Sequence, residues 1–253
     1  MTLAPFSKAA LFGCLFPGFL LLGADDTAPS PLRRLTIGIH VMYFPTTLVN
    51  TRNVITITEN TNPVVQYNYT ATSTSAKWGP GGMAEYRLTD HWALAGEIHF
   101  HHVDYTENAE ILTGYNSSTT GGDNRPVTNT STYSQVNYYE YPLLAHYYGF
   151  WSHGWKRRAF FTGGVELRHV GKIRTGNDFT YPSGLTDYNE NPATPNKVND
   201  LGVVAGLGMR FVDEFHIRIV PEMRFIRWQA PTLQGAAYSA VVNQLEAGLT
   251  LSF

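Results

Sequence analysis

Glutamate and arginine residues recur at every second position along several segments of this chain. In residues 216–225, histidine, arginine and glutamate side chains alternate with isoleucine, methionine and phenylalanine side chains. Arginine presents a planar fork of donors that can bind a carboxylate through two bonds at once. Lysine is almost absent from these positions, so the pattern indicates salt-bridge chemistry in a confined interior rather than a solvated face. The predicted interior network comprises Glu85, Arg87, Glu97, Glu140, Glu166, Arg168, Arg210, Arg218, Glu222, Arg224 and Glu246.

The histidine cluster at residues 99–102 is the one place where the sequence suggests a metal. His99 and His101 share one face of a strand, whereas His102 points to the other face, because successive side chains alternate. No cysteine and no paired aspartate completes a ligand set. Hydrogen bonding in the interior is the favoured role, and the sequence predicts neither a bound metal nor a cofactor.

Other groupings that could support catalysis are incomplete. Gly202, Gly206 and Gly208 do not open a helix, so they do not form a phosphate-binding loop and are expected to make room for bulky interior residues. A hydrolase needs a nucleophile and an acid near a histidine. The candidate histidines are His146, His153, His169 and His216. Because none has a nucleophile at a suitable spacing, the protein is predicted not to be an enzyme.

These residues lie on eight segments in which apolar and polar side chains alternate, a pattern typical of half-buried β-strands. The predicted strands span residues 34–45, 76–88, 92–101, 135–148, 159–172, 201–211, 216–225 and 242–253. No segment keeps a helical period over any length.

The connections between these segments alternate strictly between short and long. Turns near Thr89–Asp90 and Val212–Glu214 are tight and the one at Gly149–Arg157 is moderate. The long polar stretches are 48–75, 106–134, 175–199 and, shorter, 230–240. Loops of this length count against an ordinary compact domain, but outer-membrane barrels have short periplasmic turns and long outer loops. The sequence therefore predicts an all-β fold, a closed antiparallel eight-stranded up-and-down transmembrane β-barrel, with both termini periplasmic.

Aromatic residues are abundant, with 15 Tyr, 14 Phe and 5 Trp, and they are predicted to gather at two membrane interfaces. One group, near the short turns, is Tyr86, Trp92, Trp151, Trp155, Phe160, Phe211, Phe215 and Phe253. The other group, near the long loops, is Tyr43, Tyr105, Tyr133, Phe225 and Trp228. The alternative is an aromatic-rich soluble β-protein whose apolar face forms the core.

Residues 1–24 are predicted to be a cleaved signal peptide. A basic start is followed by an apolar run over residues 9–23 and then by the pair Asp25–Asp26, which is the order of a secretory signal. A lipoprotein signal acylated at Cys14 is the alternative, and the bulky Phe12 disfavours it. Residues 25–33 are expected to form a short periplasmic segment and residues 34–253 the barrel domain.

Three motifs resemble those of the small eight-stranded outer-membrane barrels, the OmpA/OmpX-like β-barrel domain family. They are Leu245–Phe253, Tyr139–Leu144 and Gly202–Gly208. The resemblance implies that Phe253, at the end of an alternating last strand, is read by the barrel-assembly machinery. It also implies that the surroundings are outer-membrane lipids and lipopolysaccharide.

The expected function is non-enzymatic, a structural or surface-interaction role in the outer membrane through long extracellular loops. The sequence does not identify the partner of those loops. The alternative is a narrow channel for small solutes or ions, gated by rearranged Glu–Arg pairs, and a lipid-modifying enzyme ranks third. The net charge of -2 indicates no nucleic-acid partner, and a monomer is expected.

Overall fold

Antiparallel β-strands account for most of the described chain. The structure is a computed structural model that describes residues 34–58, 63–117, 123–148, 158–190, 193–212 and 217–252. Within these ranges the protein is all-β, as predicted, and no helix is long and apolar enough to cross a membrane. The predicted signal peptide, the segment 25–33 and the predicted assembly signal Phe253 lie outside the described residues.

The described residues contain fifteen strands. Their bounds are β1 Leu35–Tyr43, β2 Val49–Thr51, β3 Val54–Thr58, β4 Val65–Ser73, β5 Trp78–Arg87, β6 Trp92–Thr113, β7 Val127–Tyr148, β8 Ala159–Val170, β9 Arg174–Thr180, β10 Thr186–Glu190, β11 Asn199–Met209, β12 Phe211–Val212, β13 Arg218–Trp228, β14 Tyr238–Ala240 and β15 Asn243–Ser252. Each of the eight segments predicted from the alternation overlaps one of the longer strands, but β6, β7, β11 and β13 extend beyond the predicted bounds.

Eight of the strands pair in a closed ring. The order around it is β1, β5, β6, β7, β8, β11, β13 and β15, and every neighbouring pair is antiparallel. The ring closes because β15 also pairs with β1, in a register that runs from Gly38 opposite Ser252 to Tyr43 opposite Ala247. Closure gives each ring strand two neighbours, so the ring has no free edge.

The long polar stretches are largely β-structure, which corrects the prediction of irregular loops. β6 and β7 continue well past the ring as a hairpin that reaches Leu112 opposite Val127. On one side of this hairpin β4 pairs with β6 and β3 with β4, and on the other side β9 pairs with β7 and β10 with β9. Threonine and tyrosine fit a ladder well once a partner strand is present. The Asn- and Ser-rich composition of these stretches did not indicate β-strands.

Burial around the ring is inverted relative to a protein folded in water. Large apolar side chains point outward, with Ile39 62% exposed and Leu143 61% exposed. Charged side chains point inward, with Glu140 0% and Arg224 1% exposed. Because side chains alternate along a strand, the inward or outward direction of one side chain fixes the direction of every other side chain in that strand.

An apolar cluster fills the interior at the end from which the long connections emerge. The connection after β1 folds into this end, where its strand β2 pairs with β14 from the connection between β13 and β15. The ring of Phe44 packs edge-on against His101, with 4.0 Å between ring centroids. The cluster consists of Met42, Phe44, Leu48, Val49, Val103, Tyr105, Val136, Tyr138, Val170, Ile173, Leu233 and Ala240.

Three of the aromatic residues predicted at the interfaces are buried instead. Phe160, Tyr105 and Trp228 lie on the inward side of their strands and contribute to interior clusters. The prediction for them was wrong because it used position along the strand and not the facing of the side chain. The members Trp151, Trp155, Phe215 and Phe253 lie outside the described residues. Those with exposed side chains are Tyr86, Trp92, Tyr133, Phe211 and Phe225.

Candidate functional site: a buried charge network

The charged residues predicted for the interior all point to the inside of the ring, and most are buried. Arg87, Arg210 and Arg218 are partly exposed, whereas the eight others are buried. The buried members come from β5, β6, β7, β8, β13 and β15, so residues far apart in the chain share one interior. Cross-strand register brings several together directly, as with Glu140 opposite both His99 and Arg168.

Arg224 is the centre of the network. Its guanidinium donates to both oxygens of Glu97, with Nη1···Oε2 at 2.5 Å and Nη2···Oε1 at 2.6 Å. The same Nη2 donates to Glu222 at 2.8 Å, and the Thr162 hydroxyl donates to the other oxygen of Glu222 at 2.5 Å. Bidentate, charge-assisted bonds of this kind are about twice as strong as neutral ones.

Arg168 occupies the part of the interior next to the apolar cluster. Its Nε donates to Glu140 Oε1 at 2.7 Å, and its Nη2 donates to Gln244. The guanidinium carbon lies 3.8 Å from the ring centroid of Trp228 and 4.8 Å from that of Tyr138, distances that allow cation–π attraction. Trp228 therefore supports a buried cation, in place of the interfacial position predicted for it.

The short-turn end of the interior is organised by Glu85. This carboxylate lies 2.7 Å from Nδ1 of His146, and it accepts a 2.8 Å bond from the Tyr148 hydroxyl. Arg210 lies 4.0 Å from Glu85, and its guanidinium carbon sits 4.4 Å from the Tyr148 ring centroid. Arg218 donates to the Thr36 hydroxyl. These groups fill the interior near the short turns.

Three buried imidazoles line the middle of the interior. His99 and His101 point inward as the alternation predicts, and His102 points outward, where its Nδ1 lies 2.7 Å from the Asn137 side-chain oxygen. His40 of β1 is equally buried and was missed, because a lone histidine carries no spacing signal. His40 and His99 lie edge to face, with 5.0 Å between ring centroids.

Two sets of ligand atoms are close enough to hold a metal ion. His40, Glu97 and His99 form one set, and His99, Glu140 and Glu166 form the other. In each set the potential ligand atoms lie within 4.8 Å of one another. Both sets are assembled by the ring, since no two of their members except Glu97 and His99 lie on one strand.

Little free space is left between these groups. A cavity of about 10 Å³ lies among side chains that include Glu85, Glu97, Arg218 and Glu222. That volume admits a single water molecule. The histidines considered for catalysis are engaged elsewhere, His146 with Glu85 and His169 with Asn199 at 2.7 Å. His153 and His216 lie outside the described residues.

Replacement of Arg224 by methionine tests how far the interior depends on this guanidinium. We expect Arg224→Met to lower the free energy of unfolding by about 3–5 kcal/mol, because it leaves two carboxylates buried without their partner. Adding Glu97→Gln should recover part of that loss. Arg125→Met, which removes an exposed partner of Asp123, is the matched control and should have little effect.

Unfolding in urea, followed by tryptophan fluorescence of the folded protein in detergent micelles, measures these differences. Equal losses for Arg224→Met and Arg125→Met would contradict a central role for Arg224.

Comparisons with known proteins do not assign this chain to a family. No protein-family model matches it, and no curated protein matches it. The resemblance to small eight-stranded outer-membrane barrels therefore depends on the three motifs quoted above.

Proposed function

We propose that this protein is a closed eight-stranded antiparallel β-barrel that spans the outer membrane. The observation that carries the proposal is the inverted burial around the ring. An outward face of isoleucine, leucine and valine costs about 25 cal/mol for each Å² exposed to water, but it is the favoured surface against lipid. A closed ring also satisfies its backbone hydrogen bonds internally, which the hydrocarbon core requires.

The dimensions of the ring strands suit a bilayer. A tilted transmembrane strand needs about 9–11 residues, and β1, β5 and β15 contain 9, 10 and 10 residues. Pairs of aromatic side chains lie at both ends of the outward face. Tyr43 packs on Trp78 with 4.8 Å between centroids, and Trp92 packs on Tyr147 with 4.9 Å. Amphipathic rings are stable at headgroup level.

In this proposal the polar extension formed by β3, β4, β9, β10 and the outer parts of β6 and β7 lies outside the cell. β3 and β10 end the path of paired strands, so each offers backbone groups on its free side. Such edges can accept an extended segment of another protein. We therefore favour a non-enzymatic surface-interaction role for a monomeric barrel, with lipid and lipopolysaccharide around it and an outer partner still to be identified.

A narrow channel has less support than a sealed barrel. The interior is occupied by the Glu–Arg network, and the apolar cluster defined by Met42, Phe44 and their neighbours fills one end of it. A conducting path would require these groups to move apart, which would leave buried carboxylates without their arginine partners. The interior packing therefore favours a barrel that holds an external sheet rather than one that transports solutes.

A charge on the outward face tests membrane insertion. Leu143 lies on the outward face of the part of β7 that belongs to the ring, between Tyr139 and Tyr147, and Leu143→Arg should cost about 2–4 kcal/mol of folding free energy in lipid. Ile57→Arg is the matched control, since Ile57 is equally apolar and 54% exposed but lies on β3, beyond the ring. It should insert like the unmodified protein. Insertion into lipid vesicles is measured by heat-modifiable gel migration, and equal insertion of both variants would contradict the proposal.

Planar-bilayer recording tests the sealed interior. The purified protein is expected to stay electrically silent at neutral pH, because buried side chains occupy its interior and the apolar cluster fills one end. A general porin in the same bilayer provides the positive control. Stable single-channel steps from the purified protein would favour the channel alternative.

Site-specific photocrosslinking on intact cells tests the surroundings of the two regions. A photoreactive phenylalanine at Leu143 should crosslink to lipid or lipopolysaccharide. The same group at Ile57 should crosslink to protein or remain unreacted, because that position lies outside the bilayer. Lipid adducts at Ile57, or none at Leu143, would overturn the assignment of the two regions.

A further inference from the structure

Three potential metal ligands converge in the middle of the ring interior. Glu97 Oε2 lies 3.0 Å from Nε2 of His99 and 3.4 Å from Nδ1 of His40. All three side chains are buried, with at most 1% of each exposed. A tetrahedral zinc ion has bonds of about 2.0–2.1 Å to nitrogen and oxygen, so its ligand atoms lie roughly 3.3 Å apart. The two separations from Glu97 match that spacing to within a few tenths of an ångström, and all three ligand atoms lie within 4.8 Å of one another.

The imidazole nitrogens have no other role in the described structure. Neither ring nitrogen of His40 or of His99 has a partner with hydrogen-bond geometry, including the close contacts to Glu97. Glu97 Oε2 accepts one bond from Arg224, and a carboxylate oxygen has a second lone pair available. Buried polar atoms without partners are rare and costly, and here one nitrogen of each ring, Nδ1 of His40 and Nε2 of His99, lies next to the same oxygen of Glu97.

The charge of the interior favours an added cation. The buried glutamates are Glu85, Glu97, Glu140, Glu166, Glu222 and Glu246, while the buried arginines are Arg168 and Arg224. Six carboxylates around two guanidiniums leave an excess of four negative charges among the buried groups. The partly exposed arginines Arg87, Arg210 and Arg218 lie toward the short-turn end of the interior. Uncompensated charges in a dry interior are expensive. Either protons or a bound cation must neutralise this excess.

The neighbouring strand makes room for the two imidazoles. Gly81 of β5 is the register partner of His40 on one side and of His99 on the other. A Cβ atom at Gly81 would lie 2.5 Å from Cδ2 of His99, so only glycine allows the rings to approach across this strand. The pairing His40–Gly81–His99 places ligands from β1 and β6 side by side.

We propose that His40, Glu97 and His99 form a structural binding site for a divalent transition-metal ion, with Zn²⁺ the best match. Two imidazoles and one carboxylate suit zinc, whereas Mg²⁺ and Ca²⁺ prefer oxygen ligands alone. The ion would supply positive charge to an interior with too few arginines, and would tie β1 to β6 across β5. The site depends on the closed ring and not on whether the ring spans a membrane.

Metal analysis of the full-length protein tests the site. Protein folded in detergent is treated with a chelator, equilibrated with Zn²⁺ and freed of unbound ion, and its zinc content is measured by mass spectrometry. We expect about one zinc ion per chain. His40→Gln and His99→Gln should each weaken binding at least about tenfold, since even outer-shell changes cost about 10–100-fold. His91→Gln, at an exposed turn, is the matched control and should bind like the unmodified protein.

X-ray absorption at the zinc edge should report two imidazoles in the first coordination shell. Glu166→Gln separates the triad from the neighbouring ligand set, since Glu166 belongs only to the latter. Loss of zinc from Glu166→Gln with retention by His40→Gln would overturn the assigned ligands. Absence of zinc from folded, unmodified protein would overturn the proposal. Protons would then be what neutralises the excess negative charge of the buried carboxylates. Gel migration confirms that each variant is folded.

Discussion

More carboxylates than guanidinium groups are buried inside the ring. The pairing between these groups determines how the interior side chains are arranged. Arg224 joins Glu97 to Glu222, and Arg168 joins Glu140 to Gln244. Arg224 thereby ties β13 to β6, and Arg168 ties β8 to β7 and β15. A buried charge that loses such a partner destabilises a fold by several kcal/mol, so each guanidinium needs several partners close by. That condition explains why aromatic side chains, hydroxyls and amides gather around these two arginines.

Close packing of this interior depends on small residues opposite large ones. Gly208 of β11 lies opposite Phe160 of β8, and a Cβ atom there would overlap the phenyl ring. Bulky inward side chains therefore fit inside the ring only where the neighbouring strand has a glycine, which has no side chain, at the opposite position. The result is an interior with room for about one water in the cavity near Glu85 and an apolar cluster at the other end. A ring packed in this way is a rigid support for the strands that extend beyond it.

The alternation makes the outward face of the ring apolar and much of its inward face charged. The strands that extend beyond the ring have a polar, water-facing surface. On the extension, one face of β4 carries Gln66, Asn68, Thr70 and Thr72, and the ion pair of Asp123 with Arg125 lies in the connection between β6 and β7. The short hydrogen bonds from Arg125 hold the pKa of the Asp123 carboxyl below its usual range. The pair is therefore ionised at neutral pH, as suits a surface in contact with water. The change from an apolar to a polar outer surface along β6 and β7 marks where the ring ends.

The alternation of residue types by itself determined the positions of the eight ring strands and the inward facing of the charged residues, because period two is a local property of the chain. It also placed His99 and His101 on one face and His102 on the other. Only the tertiary structure decided that the polar stretches pair as strands, that Trp228 lies against Arg168, and that His40 meets His99 across Gly81. Those facts depend on which strands are neighbours and in what register. Register is set by contacts between residues distant in sequence, and the sequence of a single strand does not reveal those contacts.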